Sequence, residues 1–270
     1  MAENSYGNQQ EKLNRTWQDI WDKETKDRDW KKEIKRHEYE RKYFFSLLVK
    51  NITKLNIKNP RVLEIGCGTA IDSYILAQKI EAQVTATDLL EESIKVAGDI
   101  STLFPKKIKL EIADASNFKY KNDTFDVIFS QGLLEHFKDP DKIIKEQIRI
   151  LKSGGLLVID VPQKYNPYTA YKHKKIAQNK WEYGWEREYS FSELKSLEKK
   201  YGLKVVDKCG HGYDIKRDYG LGFLRYFPQR LSEKMLIIFP LVWLYDLIWF
   251  LPEKFLGYLF MQNIAVVFKK

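Results

Sequence analysis

The run Arg61-Val62-Leu63-Glu64-Ile65-Gly66-Cys67-Gly68-Thr69-Ala70 constrains the fold of this chain more than any other stretch. Asn59-Pro60 breaks what precedes it, and Arg61–Ile65 is short and nearly all apolar, the pattern of a strand buried on both faces of a parallel sheet. Gly66 and Gly68 let the backbone turn sharply and approach a ligand closely. A helix is expected from Ala70 to Lys79. Strand, glycine turn and helix N-terminus predict a nucleotide-sized site at the carboxyl edge of an α/β sheet. A dinucleotide fingerprint needs a small residue at position 71, where this chain has Ile71. Glu64 would oppose a pyrophosphate and suits a ligand carrying an ammonium group.

The following segments alternate in kind. Gln83–Asp88 reads as a second strand ending in an acid, twenty residues beyond Gly68, where a carboxylate can accept hydrogen bonds from both ribose hydroxyls. A helix is expected over 91–100, which leaves Asp88 a second reading as a helix cap. Lys107–Ile112 reads as a third strand, ended by Ala113-Asp114-Ala115. Asp114 is placed to take the exocyclic amine of adenine and the Ala115 N–H to serve the ring, or Asp114 is simply a turn residue. Thr124–Ser130 is a fourth strand running into Gln131–Phe137. Asp139 is expected to cap a helix that has Pro140 at its first position and ends near Leu151. Ser153-Gly154-Gly155 reads as a turn into a fifth strand, Leu156–Val161, and a helix over Ser192–Tyr201 precedes a sixth strand, Leu203–Asp207. Asn263–Phe268 supplies a seventh. Alternating strands and helices predict a parallel sheet with right-handed crossovers.

Val62–Thr69, Thr87-Asp88, Ala113–Ala115, Phe125–His136 and the turn Lys152–Gly155 occur in an order and spacing that resembles the class I S-adenosylmethionine (SAM)-dependent methyltransferases. Leu134-Glu135-His136-Phe137 is similar to the branch that includes the quinone-biosynthesis methyltransferases. The resemblance implies a Rossmann-like sheet of seven strands, mostly parallel with the last antiparallel, flanked by helices. It implies SAM (S-adenosyl-L-methionine) as cofactor and allows an N-terminal helical lid, whose other reading is plain packing against the sheet; the chain itself places a helical insertion before the last strand. It gives Glu64, Gly66, Cys67 and Gly68 to the methionine portion, Asp88 and Leu89 to the ribose, Asp114 and Ala115 to adenine, and Ser130 and Gln131 to the amino group. Ala70 stands where many members have a third glycine, a departure read as mild.

Methyl transfer is an in-line displacement on a sulfonium carbon, so the protein must align nucleophile, carbon and sulfur in a dry pocket. The acceptor must also lose a proton, and histidine is the usual base. His136, after the fourth strand, is the leading candidate; its other reading is a helix-entry residue bonded to backbone. His37 is expected to be solvated, and His211 is a weaker candidate. The loop after the fifth strand should face the substrate. Tyr165, Tyr168, Tyr171 and His173 are its acceptor-binding candidates, within an aromatic run that continues through Trp181, Tyr183, Trp185 and Tyr189. Such a run suits an apolar or ring-shaped acceptor, or packs an irregular cap. Arg187 is expected to pin this segment by ion pairs.

The expected product is therefore a SAM-dependent methyltransferase acting at oxygen on a small-molecule or lipid-like acceptor. RNA methylation and a silent SAM-binding scaffold are the alternatives. The net charge of +9 favours an anionic partner. Nucleic acid is disfavoured, because no RNA-binding module is appended and no N-P-P-Y-type string follows the fourth strand. The two cysteines, Cys67 and Cys209, make no zinc site of the usual kind, so no metal is expected. With a polar first stretch lacking an apolar signal core, they point to the cytoplasm.

The expected divisions are 1–58 (lid or packing helices, including a helix from Lys31 to Leu55), 59–208 (SAM-binding), 209–262 (apolar helical insertion) and 263–270 (last strand). Within the insertion, Met235–Leu251 is nearly all apolar but is too short to span a bilayer and carries Pro240 and Asp246. Residues 235–261 are expected to form a lid or a peripheral membrane patch at the inner face, with Trp243 and Trp249 at headgroup depth and Arg225, Arg230 and Lys234 toward anionic lipid.

Overall fold

The expected strands pair into one sheet. In the computed structural model, which describes residues 17–18, 28–178, 180–181, 185–212, 257–259 and 261–270, they are β1 (Arg61–Ile65), β2 (Gln83–Asp88), β3 (Lys109–Ile112), β4 (Phe125–Gln131), β5 (Leu151–Pro162), β6 (Lys204–His211) and β7 (Asn263–Lys269). Their order is β3-β2-β1-β4-β5-β7-β6. β1 to β5 are parallel, and β7 runs antiparallel between β5 and β6. The order reverses between β1 and β4, and that reversal opens a crevice at the carboxyl edge.

Helices α1 (Trp30–Glu40), α2 (Lys42–Lys54), α3 (Ile71–Lys79), α4 (Glu91–Ile100), α5 (Asp141–Ile150), α6 (Pro167–Ala177) and α7 (Phe191–Tyr201) surround it. The two-residue period of the strands sorts their side chains between two cores. Val62, Val127, Phe129, Val158 and Val267 meet Phe44, Leu48, Tyr74 and Ala97 from α2, α3 and α4. Leu63, Ile128, Leu157, Ile159 and Val266 meet Ile143, Ile144 and Leu194 from α5 and α7. Each such side chain contributes about 1.5–3 kcal/mol by leaving water, so the sheet is fixed from both faces.

Several boundaries differ from expectation, and the loop expected after the fifth strand is helical over Pro167–Ala177, because Asn166 caps it by accepting the Thr169 N–H and Pro167 opens its first turn. The single helix over 31–55 is two, broken at Arg41 (φ −104°, ψ 17°), whose guanidinium pairs with Asp72 of α3. β5 absorbs the glycine turn as a bulge, since the register jumps from Phe125↔Leu151 to Val127↔Leu156. A Cβ on Gly155 would lie 2.8 Å from the Asp126 carbonyl, so only glycine lets the strands close there. β6 extends to His211 because β7 pairs along its whole length. α5 begins at Asp141, although Asp139 still takes the Asp141 N–H at 3.1 Å. α7 carries a capping box, Ser190 with Glu193.

Among the described residues, no helix is long and apolar enough to cross a membrane. Residues 213–256, with most of the apolar insertion and its Arg225, Arg230, Lys234, Trp243 and Trp249, lie outside the described residues, as does Tyr183.

Candidate active site

The site begins at the glycine turn. Gly66 and Gly68 have φ of +69° and +51°, and a Cβ on Gly66 would sit 3.0 Å from Leu133 Cδ1. The turn is stitched to the neighbouring strand: Cys67 N–H donates to Thr87 O at 2.9 Å, and Gly68 N–H donates to Asp88 Oδ2 at 2.9 Å. The other Asp88 oxygen takes the Leu90 N–H at 3.0 Å. Each oxygen keeps lone-pair capacity for a hydroxyl, so capping and ribose binding are compatible. Burial raises the Asp88 carboxyl pKa, outweighing these donors. Burial likewise pushes up the Cys67 thiol, which keeps it un-ionised. Ala70 sits at φ +54°. That left-handed backbone costs an alanine about 1–2 kcal/mol, so the departure from glycine is carried at some strain.

Glu64 lies beneath the turn, 2% exposed, and accepts the Ser73 N–H at 3.2 Å. Burial and the Asp72 charge push its carboxyl well above the usual range. Asp72 is held the other way: burial opposes ionisation, but Arg41 and His37 keep its carboxyl well below the usual range. His37 Nε2 is 3.1 Å from Asp72, which corrects the expectation of a solvated histidine. The junction of α1 and α2 is thus clasped to the first turn of α3, beside Glu64.

Ser130 of β4 lies opposite Ile65 of β1, across the crevice. Gln131 pairs with Asp160 of β5. A short 3-10 turn, Leu134–His136, follows. Here buried polar atoms without a hydrogen-bond partner among the described residues collect: Ser130 Oγ, both Gln131 amide atoms, Glu135 Oε2, His136 Nδ1, Asp160 Oδ2 and His211 Nδ1. Natural interiors leave few such atoms, and these concentrate at the carboxyl ends of β4, β5 and β6. Burial lowers the His136 pKa, against the nearby Glu186 charge and a hydrogen bond to the Trp185 backbone. Its Nδ1 has no hydrogen-bond partner among the described residues. Trp17 meets the His136 ring edge-on, with centroids 5.3 Å apart.

The remaining candidates are dispersed. Leu89 is 41% exposed. Asp114 is exposed, with its carboxylate on the Ser116 N–H at 2.7 Å, as a turn residue would be, and Ala115 is half-buried. Tyr165 and Tyr171 are 69% and 53% exposed. Tyr168 is half-buried, its ring 6.4 Å from that of Trp181. His173 is surface-lying, 3.1 Å from Glu188. Between them Lys172, with a 2% exposed side chain, pairs with Glu186 and Glu188. Arg187 reaches Glu193 at 3.4 Å, but the segment is tied to the sheet edge by backbone, Arg187 N–H to Glu135 O at 2.9 Å.

Sequence reading passed over Glu135, Asp160, Lys172 and Glu186 as site residues and ranked His211 low. One signal was available: Asp160 is the sole charge in the apolar run Leu156–Val161. Its Oδ1 lies 2.8 Å from His211 Nε2, and both residues are almost fully buried.

The turn, the Asp88 carboxylate with spare valences and the unpartnered Ser130 and Gln131 atoms fit SAM. A family model described as a methyltransferase domain matches residues 56–214. The chain is 29% identical over 153 residues to norajmaline N-methyltransferase of Rauvolfia serpentina, covering 56% of this chain and 46% of that one. It is 28% identical over 109 residues to phosphoethanolamine N-methyltransferase 1 of Arabidopsis thaliana, covering 40% and 22%. The match thus spans under half the length of these relatives. A SAM-dependent methyltransferase of Thermotoga maritima superposes with a TM-score of 0.52 at 18% identity, over 88% of this chain and 95% of that one, a likeness of fold alone.

Proposed function

This chain belongs to the class I SAM-dependent methyltransferases, and on that premise we propose that it transfers a methyl group from SAM to a small-molecule or lipid-like acceptor bound beside β4 and β5. The observation that carries the reading is the pairing of a left-handed glycine turn with Asp88, across from a group of buried, unpartnered polar atoms at the ends of β4 to β6. SAM supplies an electrophilic methyl carbon on a positively charged sulfur. Gly66, Cys67 and Gly68 leave backbone room for its methionine portion, with Glu64 facing the ammonium. Asp88 and Leu89 hold the ribose, Asp114 and Ala115 meet adenine, and Ser130 and Gln131 meet the amino group. His136, kept neutral by burial with Nδ1 free, accepts the acceptor's proton. Tyr165, Tyr168, Tyr171 and His173 form the mouth.

The sequence favours an oxygen acceptor, whereas the relatives named above methylate nitrogen by name. The likeness of Leu134–Phe137 to the quinone-biosynthesis branch keeps a lipid-like ring acceptor in view. The apolar run 235–261 is the part of the chain suited to peripheral membrane contact.

Two measurements test the reading. Calorimetry should give saturable binding of SAM and of its demethylated product. His136→Ala should slow methyl transfer by roughly 100-fold while leaving SAM affinity unchanged. A normal rate with a lowered melting temperature would make His136 structural. SAM binding without transfer to any fraction of a cell extract would mean a silent scaffold.

A further inference from the structure

The residues beside His136 carry an excess of negative charge that the functions assigned above do not use. Glu135 is 3% exposed and Asp160 is 1% exposed. Asp160 Oδ1 is 2.8 Å from His211 Nε2, but Asp160 Oδ2 and Glu135 Oε2 have no hydrogen-bond partner among the described residues. Glu186 adds a third carboxylate within electrostatic reach of Glu135, as is Asp160. The nearby cation, Lys172, is shared between Glu186 at 2.7 Å and Glu188. Burial and these two neighbouring charges push the Glu135 carboxyl well above the usual range.

Buried carboxylates without partners are costly, and a cation placed between them relieves that cost. An alcohol or a phenol brings no charge and at most one donor. An ammonium brings a full positive charge and three donors. On the reading above Glu64 faces the ammonium of SAM on the β1 side, which leaves this second acidic group for the other substrate.

We propose that the methyl acceptor is a small amine, held as its ammonium form by Glu135 and Asp160 at the carboxyl ends of β4 and β5. The inference rests on the methyltransferase reading above and narrows its acceptor. An ammonium N–H bond breaks, and its proton passes to His136 Nδ1. The freed nitrogen lone pair forms a bond to the methyl carbon as the carbon–sulfur bond breaks, with that pair staying on sulfur. The product is a methylated ammonium, and His136 then gives its proton to water. Charge balances: ammonium plus sulfonium become methylammonium, a neutral thioether and one proton. The two carboxylates hold the ammonium against wandering before transfer and keep the substrate's hydroxyl analogues out, since those would leave both carboxylates unpaired.

The test uses the full chain, SAM labelled with carbon-13 at the methyl, and an extract of the small molecules and lipids of the cells from which the protein comes. NMR separates N-methyl, O-methyl and C-methyl carbons by their shifts. Label on nitrogen is expected. Label only on oxygen or carbon overturns the amine proposal while leaving the methyltransferase intact. No transfer at all removes the methyltransferase reading and this proposal with it. Glu135→Gln and Asp160→Asn, nearly isosteric, should each cut N-methyl yield at limiting extract by about 10–100-fold, with SAM affinity by calorimetry unchanged. Wild-type yield from both variants would overturn the assignment of these carboxylates. A variant that loses SAM binding together with its cooperative melt is unfolded, and the label position in the wild type then decides; a variant that melts normally but loses SAM overturns the assignment of that carboxylate to the acceptor.

Discussion

Gly68 donates its backbone N–H to Asp88 Oδ2 at 2.9 Å, joining the glycine turn after β1 to the acidic end of β2. The contact holds two ligand-facing elements at a fixed separation before any ligand arrives, so little ordering remains to be done on binding. It also makes Asp88 part of the turn's own architecture.

Asp88→Ala should therefore weaken SAM binding by about 2–3 kcal/mol, by losing charge-assisted hydrogen bonds to the ribose. Calorimetry checks it. Asp88→Asn keeps one acceptor oxygen and should fall between. Unchanged affinity in Asp88→Ala would take the ribose away from this residue.

Glu135→Gln should stabilise the free protein at neutral pH by roughly 1–3 kcal/mol, by removing a buried carboxylate whose Oε2 has no hydrogen-bond partner among the described residues. The sign follows from linkage. The folded-state pKa of Glu135 is raised, so the folded protein binds more protons than the unfolded chain above about pH 4.3, the ordinary Glu value. Stability contributed by this group is complete below that pH and is lost as pH rises toward the folded pKa. The gain from Gln should vanish in melts near pH 4 and be largest at pH 7 to 8.

Lys172→Met should cost about 3–5 kcal/mol, because it strands Glu186 and Glu188 in a buried place with His173 as the remaining neighbour of Glu188. Adding Glu186→Gln and Glu188→Gln to Lys172→Met should recover most of the loss in urea melts. Failure to recover it would mean that the lysine stem packs rather than pairs.

Ala70→Gly should leave stability within about 0.5 kcal/mol of wild type. Relief of the left-handed alanine is worth about 1 kcal/mol, and it is offset by a lost buried methyl and greater unfolded-chain freedom. The same change at Ala77, buried in the last turn of α3, lacks that relief and should cost about 1–2 kcal/mol. Equal costs at the two positions in parallel melts would argue against the left-handed backbone at Ala70.

The sequence by itself determined the order of the strands, the glycine turn and the placing of Glu64, Asp88, Ser130 and Gln131 at one edge of the sheet, but not the helix Pro167–Ala177, which it predicts as a loop. Those features are local. A buried parallel strand must be continuously apolar, a sharp turn needs glycine, and a ligand-binding acid belongs at a strand end, so each is written in a few consecutive residues. What only the tertiary structure decided is what depends on distant partners. His37 belongs with Asp72 because α1 lies over α3, a separation of 35 residues. β6 runs to His211 because β7 arrives from the chain's far end to pair with it. Asp160, His211, Glu135 and Lys172 come from four separate elements, and no spacing in the sequence marks them as neighbours. The pairing of buried charges is set by which groups the fold excludes from water together, and that exclusion appears only once the sheet has closed.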